Sequence, residues 1–164
     1  MHDAARTAAR LYAAFARKDG DAMAGCYAAD ATFSDPVFPD LRGKDVGAMW
    51  RMLCGRARDL RIDAATPELL PDGRVRVAWQ AWYTFGATGR PVHNQVTATL
   101  RVEDGRIAGH EDAFDFPAWA AQALGWKGRL LGRTRFLRHK VQRQAAGQLA
   151  RFRAKQGGAL VPDA

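Results

Sequence analysis

The sequence predicts an α+β fold: three N-terminal helices covering an antiparallel sheet, followed by a helical C-terminal extension. Three observations carry this. Apolar residues recur at three- and four-residue spacings between residues 3 and 53. Four runs between residues 60 and 116 alternate apolar and polar side chains and are separated by turn signals. Helical spacing returns after Pro117. The change of period divides the 164 residues into a domain over 1–117 and an extension over 118–164.

Ala8, Leu11, Tyr12 and Phe15 form the apolar stripe of a helix over 3–17. Asp19-Gly20-Asp21 ends it, with Asp21 placed to cap a second short helix running through Cys26 and Tyr27. Residues 30–35 read as a short strand ended by Pro36, and a loop containing Pro36, Pro39 and Gly43 follows. A third helix from Lys44 carries Val46, Met49, Trp50 and Leu53 on one side. Four strands are expected over 60–70, 74–86, 92–102 and 106–116. Asp72-Gly73 and Asp104-Gly105 are tight-hairpin signals and Ala87-Thr88-Gly89 is a looser one, so neighbouring strands run antiparallel. Val75, Val77, Trp79, Ala81, Tyr83 and Phe85 share one face, as do Val92, Asn94, Val96, Ala98, Leu100 and Val102. Beyond Pro117, Ala118 to Leu124 is one helical piece, interrupted by Gly125, Gly128 and Gly132. A last helix over about 134–155 has Leu137, Val141, Ala145, Leu149 and Phe152 as its stripe.

A composition of 48% hydrophobic and 26% charged residues argues against both a disordered and a membrane-embedded chain. The formal charge of +8 invites a nucleic-acid partner, but its distribution argues against one. Residues 1–126 carry 15 basic and 16 acidic side chains, while residues 127–164 carry 10 basic and one acidic. The body is therefore nearly neutral and the excess belongs to the extension. Cys26 and Cys54 are too few for a disulfide framework, and both fall in helix-like stretches where a small buried thiol is expected. The N-terminus has no apolar run leading to a cleavage site, and no window approaches the roughly 18 apolar residues of a spanning helix. A soluble, cytoplasmic protein is expected.

Asp35 is the first candidate for chemistry. Flanked by Phe33, Pro36 and Phe38, its carboxyl would be desolvated and become a base near neutral pH; an Asp-Pro dipeptide also caps turns, and both readings stand. His110 and Asp112 lie two apart on a strand, with Phe114 next in the row. Such a pair serves as an acid/base or orienting unit on a buried face, or is simply solvated on a wet one. Ile107, Gly109, Glu111, Ala113 and Asp115 form the opposite face. The four histidines are scattered, the two cysteines lack zinc spacing, and there is no phosphate loop and no Gly-x-Ser-x-Gly. Neither a metal nor another cofactor is implied.

The stretch from Tyr27 to Trp50, with its Asp-Ala-Thr-Phe-Ser-Asp-Pro run, resembles the signature region of the nuclear transport factor 2-like superfamily. It is most similar to the branch of SnoaL-like polyketide cyclases and ketosteroid isomerases, and Asp104 to Ile107 with His110 to Asp115 resembles that branch's closing hairpin. The resemblance covers about residues 5–120. It implies a cone-shaped α+β barrel, its curved antiparallel sheet wrapped by three helices around an apolar pocket, in a homodimer. Asp35 matches the general base of ketosteroid isomerases, whose oxyanion hole pairs a Tyr with a protonated Asp. Tyr12 is the approximate match to that Tyr, but Ala98 stands where the second Asp belongs. Losing such a donor removes a few kcal/mol of oxyanion stabilisation. Asp112 matches the last-strand carboxylate that SnoaL-like cyclases use as acid/base. Limonene epoxide hydrolases carry an Arg-x-Asp on the preceding strand; Thr97-Ala98-Thr99 stands there, which disfavours epoxide hydrolysis.

The resemblance therefore nominates Asp35, His110 and Asp112 for catalysis, and Tyr12, Phe15, Phe33, Phe38, Trp50, Trp79, Asn94 and Phe114 as walls of the pocket. For each aromatic, plain core packing is an equally good reading. The expected activity is cofactor-independent proton transfer, of isomerase or cyclase type, on a small apolar carbonyl compound. The alternative is a non-catalytic ligand-binding or dimerisation domain with the basic tail as its attachment. That tail either packs on the domain or a partner subunit, or lies on an anionic membrane surface; nucleic acid is disfavoured because no aromatic stacking platform accompanies the charges. Trp126, Leu130 and Leu131 among glycines suit a lid or a shallow membrane insertion.

Overall fold

A computed structural model describes residues 2–56 and 58–158; the end of the extension, 159–164, lies outside the described residues. Helix α1 (Asp3–Ala16) buries Leu11, Tyr12 and Phe15, the stripe its spacing predicts. Helix α2 (Gly20–Ala24) is capped by Asp19, whose carboxylate accepts from the Ala22 amide at 2.9 Å. Asp21, expected as the cap, lies inside the first turn and pairs with Arg51 instead. Helix α2 stops before Cys26, and Tyr27 opens strand β1 (Tyr27–Ser34) rather than closing a helix. Pairing decides this: Tyr27 lies opposite Ile107, and the Ile107 amide donates to the Cys26 carbonyl at 2.8 Å.

Strand β2 (Leu41–Arg42) leads into helix α3 (Lys44–Arg56). The run 60–70 is two short strands, β3 (Arg61–Ala64) and β4 (Glu68–Leu69), with Pro67 between them, both paired with β5 (Val75–Phe85). Strands β6 (Arg90–Glu103) and β7 (Arg106–Ala113) complete the meander. The turn between them holds Asp104 at φ +51° and Gly105 at φ +73°, the two left-handed residues that a tight primed hairpin requires.

The sheet order is β2-β1-β7-β6-β5-β3. Strands β1 and β7 run parallel, the one exception to the antiparallel ladder among these pairs. The sheet is open rather than a closed barrel, because β2 and β3 end its two sides and do not meet. A register shift between Arg101 and Val102, opposite Gly109 and Ile107, bulges β7. Ile107, expected on the outer face, is thereby turned into the core with no exposure. The core gathers Leu11, Phe15, Phe33, Met49, Trp50, Val77, Leu100 and Ile107 between α1, α3 and the concave face of the sheet.

Helix α4 (Phe116–Leu124) begins one residue before Pro117 and is capped by Asp115. It is followed by α5 (Trp126–Leu131) and α6 (Arg135–Gly158). The stripe of α6 is buried against the same chain: Ala145 and Leu149 join the main core, and Leu137 joins a second cluster with Val92, Phe116 and Trp119. Arg153 pairs with Asp45 on α3.

Candidate active site

Alternation on β7 places His110 and Asp112 on the concave side, and burial resolves the two readings of the pair. Their side chains are 0% and 3% exposed, so this face is dry. His110 Nε2 lies 2.9 Å from Asp112 Oδ1, and His110 Nδ1 lies 2.7 Å from the Tyr27 hydroxyl. Trp50 Nε1–H donates to that hydroxyl at 2.8 Å, and Trp79 Nε1–H donates to Asp112 Oδ1 at 3.3 Å.

The donor inventory orients this chain. An indole N–H can only donate, so the Tyr27 oxygen accepts from Trp50 and Asp112 Oδ1 accepts from Trp79. Tyr27 and Asp112 in turn hold the two ring nitrogens of His110. Tyr27, Trp50 and Trp79 thus fix the ring plane of His110 from three different elements: β1, α3 and β5. Phe33 meets the imidazole edge-on, with ring centroids 4.9 Å apart.

Tyr12, on α1, packs on Trp79 with ring centroids 6.1 Å apart. Among the described residues its hydroxyl is buried with no hydrogen-bond partner. Burial first, then the Asp112 charge, holds its pKa well above the ordinary value of 10.0, so it is kept as a donor. A buried hydroxyl without a partner costs about 1–3 kcal/mol, which makes this an arrangement the fold alone does not favour.

Asp35 lies just past β1, at the edge of the interior. Its Oδ1 accepts from the Val37 and Phe38 amides at 2.7 and 2.6 Å. It does cap the turn, as one of its two readings expected, yet burial still raises its pKa from 3.8 to about 7, against the lowering effect of those amides. The Asp112 charge pushes in the same direction as burial, and His110 opposes it. Capping and an elevated pKa therefore coexist in one residue. Asp35 borders a seam where both apolar clusters meet, at the partly buried Val37, Tyr83 and Phe114. The Asp35 charge acts on Tyr83, whose hydroxyl accepts from Trp119 Nε1–H at 2.8 Å. Helix α6 reaches the same loop through Gln142, whose amide donates to the Pro36 carbonyl at 3.0 Å.

The structure thus brings Tyr12, Phe33, Trp50 and Trp79 around His110 and Asp112, with Phe15 packed edge-on against both tryptophans. Phe38 is buried in the same core, Phe114 lies at the seam, and Asn94 is half-buried on β6 opposite Ala81. Ala98 lies directly across the ladder from Asp112. Tyr27 falls at the end of the expected second helix, where spacing gives no hint of this role; the signal for it is the buried Trp50 indole, which needs an acceptor. Two surface grooves, of about 560 and 330 Å³, touch this region at one residue each: Trp79 lines the first beside Asp63, Ala78 and Gln95, and Tyr83 lines the second beside Trp82, His93 and Gln122; neither His110 nor Asp112 lines either groove. Among the described residues no three His, Cys, Asp or Glu side chains converge as a metal ion would require.

The sequence model of the SnoaL-like domain matches residues 8–110, ending before α4–α6. Among curated proteins none matches the chain. Several solved structures share the fold. IdmH, a polyketide cyclase candidate from Streptomyces antibioticus, is 24% identical with a TM-score of 0.60, over 74% of this chain and 98% of its own. An LEH-like epoxide hydrolase from M. tuberculosis is 21% identical with a TM-score of 0.59, over 79% and 93%. An NTF2-like protein of unknown function from Burkholderia pseudomallei is 24% identical with a TM-score of 0.60, over 70% and 92%.

Proposed function

We propose a function for this chain from the premise that it belongs to the SnoaL-like domain family. It is a small-molecule enzyme of isomerase or cyclase type that moves a proton on an apolar, carbonyl-bearing substrate. The observation that supports this is Asp35: a carboxyl held near pKa 7 at the rim of an aromatic interior that also contains a tyrosine hydroxyl with no partner among the described residues. A base titrating near the working pH is half ionised there and both accepts and returns a proton efficiently.

In this reading Asp35 removes a proton from the carbon next to the substrate carbonyl and delivers it to another position. The Tyr12 O–H donates to the oxygen as negative charge develops on it. His110 and Asp112 are positioning residues. The pair is locked by Tyr27, Trp50 and Trp79, and the Asp112 charge helps hold Asp35 near neutrality. Substrate enters at the seam of Val37, Tyr83 and Phe114, beside Asp35, between the main core and the cluster under α4 and α6.

The test is turnover of a panel of enones and linear polyketide analogues by Asp35→Asn, Tyr12→Phe and Asp112→Asn. Asp35→Asn should lose about 10²–10⁴-fold and Tyr12→Phe about 10²–10³-fold. In the unsubstituted protein kcat/KM should rise with pH through about 7. Asp112→Asn should move that midpoint to lower pH, since the charge it removes favours protonated Asp35. Unchanged turnover in Asp35→Asn would sink the mechanism. Tight binding of apolar compounds with no chemical change would favour a non-catalytic ligand-binding domain.

A further inference from the structure

Helix α5 and the turn into α6 invert the usual pattern of a surface helix. The buried residues of this segment are Gly128 and Gly132. The large apolar ones point outward: Leu130 is 71% exposed, Trp126 68% and Phe136 66%. An amphipathic helix ordinarily turns such residues to the core. The glycines explain why rotation does not correct this. A Cβ on Gly128 would lie 1.9 Å from the Ala120 carbonyl oxygen, and one on Gly132 would lie 2.5 Å from the Gly128 carbonyl oxygen. The backbone of α5 is seated directly on α4, and turning Trp126 inward would break that contact. Trp126 and Leu130 are four residues apart and share one side of α5.

Basic residues are interleaved with these apolar ones along the segment. Lys127, Arg129, Arg133 and Arg135 are all exposed, and residues 116–158 contain ten Lys and Arg and no Asp or Glu. We propose that the patch docks on an anionic lipid bilayer, with Trp126, Leu130 and Phe136 entering the interfacial layer and the flanking cations on the headgroups. Both halves of the chemistry are then satisfied: an indole and aliphatic side chains suit the interface, and each basic residue near an anionic leaflet adds attraction. A second copy of the chain would bring the same positive charge to a two-fold contact. A polyanion in water would leave Trp126, Leu130 and Phe136 hydrated. Among the described residues no helix is long and apolar enough to cross a membrane, so the contact is peripheral, reversible and weakened by salt.

The test is flotation of the full-length protein with phosphatidylcholine vesicles, with and without about 30 mol % phosphatidylserine. The protein should float with the anionic vesicles only, and less so at high salt. Trp126→Ala combined with Leu130→Ser should lower partitioning about tenfold or more at an unchanged urea midpoint, both residues being exposed. Failure of the unsubstituted chain to float would overturn the proposal. So would full retention by the double variant, which would leave a surface reading phosphate charge alone. Self-association without vesicles that the double variant abolishes would assign the patch to a second copy, and would overturn it as well.

Discussion

Asp35 sets stability against chemistry. Its folded pKa of about 7 lies above the ordinary 3.8, so the folded state holds the proton more tightly than the unfolded chain. The sign follows from linkage: the favourable contribution is complete below about pH 4 and is lost progressively as pH rises to about 7. Asn keeps an oxygen to accept from the Val37 and Phe38 amides and carries no charge to desolvate. Asp35→Asn should therefore be more stable than the unsubstituted protein above pH 7, by roughly 2–4 kcal/mol. The difference should shrink toward pH 4, as urea denaturation across that range would measure. A variant that is inactive yet more stable is the behaviour of a strained functional group. Equal stability at pH 8 would mean that Asp35 is not desolvated.

Among the elements, α4–α5 shows how small residues direct large ones. The contact of Gly128 with the Ala120 carbonyl permits no side chain, so Gly128→Ala should cost about 1–3 kcal/mol, the range of an overpacked core, and lower the urea midpoint accordingly. Gly157, with nothing near its virtual Cβ, provides the control: Gly157→Ala on the exposed end of α6 should be neutral or slightly stabilising. The tight turns were legible from Asp104-Gly105 because left-handed backbone is a local demand. The bulge that turns Ile107 inward was not, since it depends on how β7 must meet β6 and β1 at once.

At the scale of the molecule, the basic extension packs into the same core as the domain. Ala145 and Leu149 of α6 lie in the same cluster as Leu11, Trp50 and Leu100. Amide exchange around residues 145–149 should therefore open with the same free energy as β5–β7, and fluorescence and far-UV transitions should coincide. Earlier opening of α6 would make the extension a separate unit, matching the division at residue 117 read from the change of period. Charge follows a different partition from packing: a body of net −1 and a tail of net +9 share one core.

The sequence by itself determined the helices, the meander, its hairpins and the location of the excess charge, because periodicity, turn chemistry and composition are local properties of the chain. It also nominated Asp35, His110 and Asp112 as residues worth watching. Only the tertiary structure decided that β1 joins β7 in parallel and that the sheet stays open. It alone set Tyr27, Trp50 and Trp79 around the His110–Asp112 pair, left the Tyr12 hydroxyl without a partner among the described residues, and desolvated Asp35 enough to shift its titration. Those outcomes rest on contacts between residues far apart in the chain, 83 positions for Tyr27 with His110 and 106 for Gln142 with Pro36, and on the exclusion of water by elements that meet only in the folded chain.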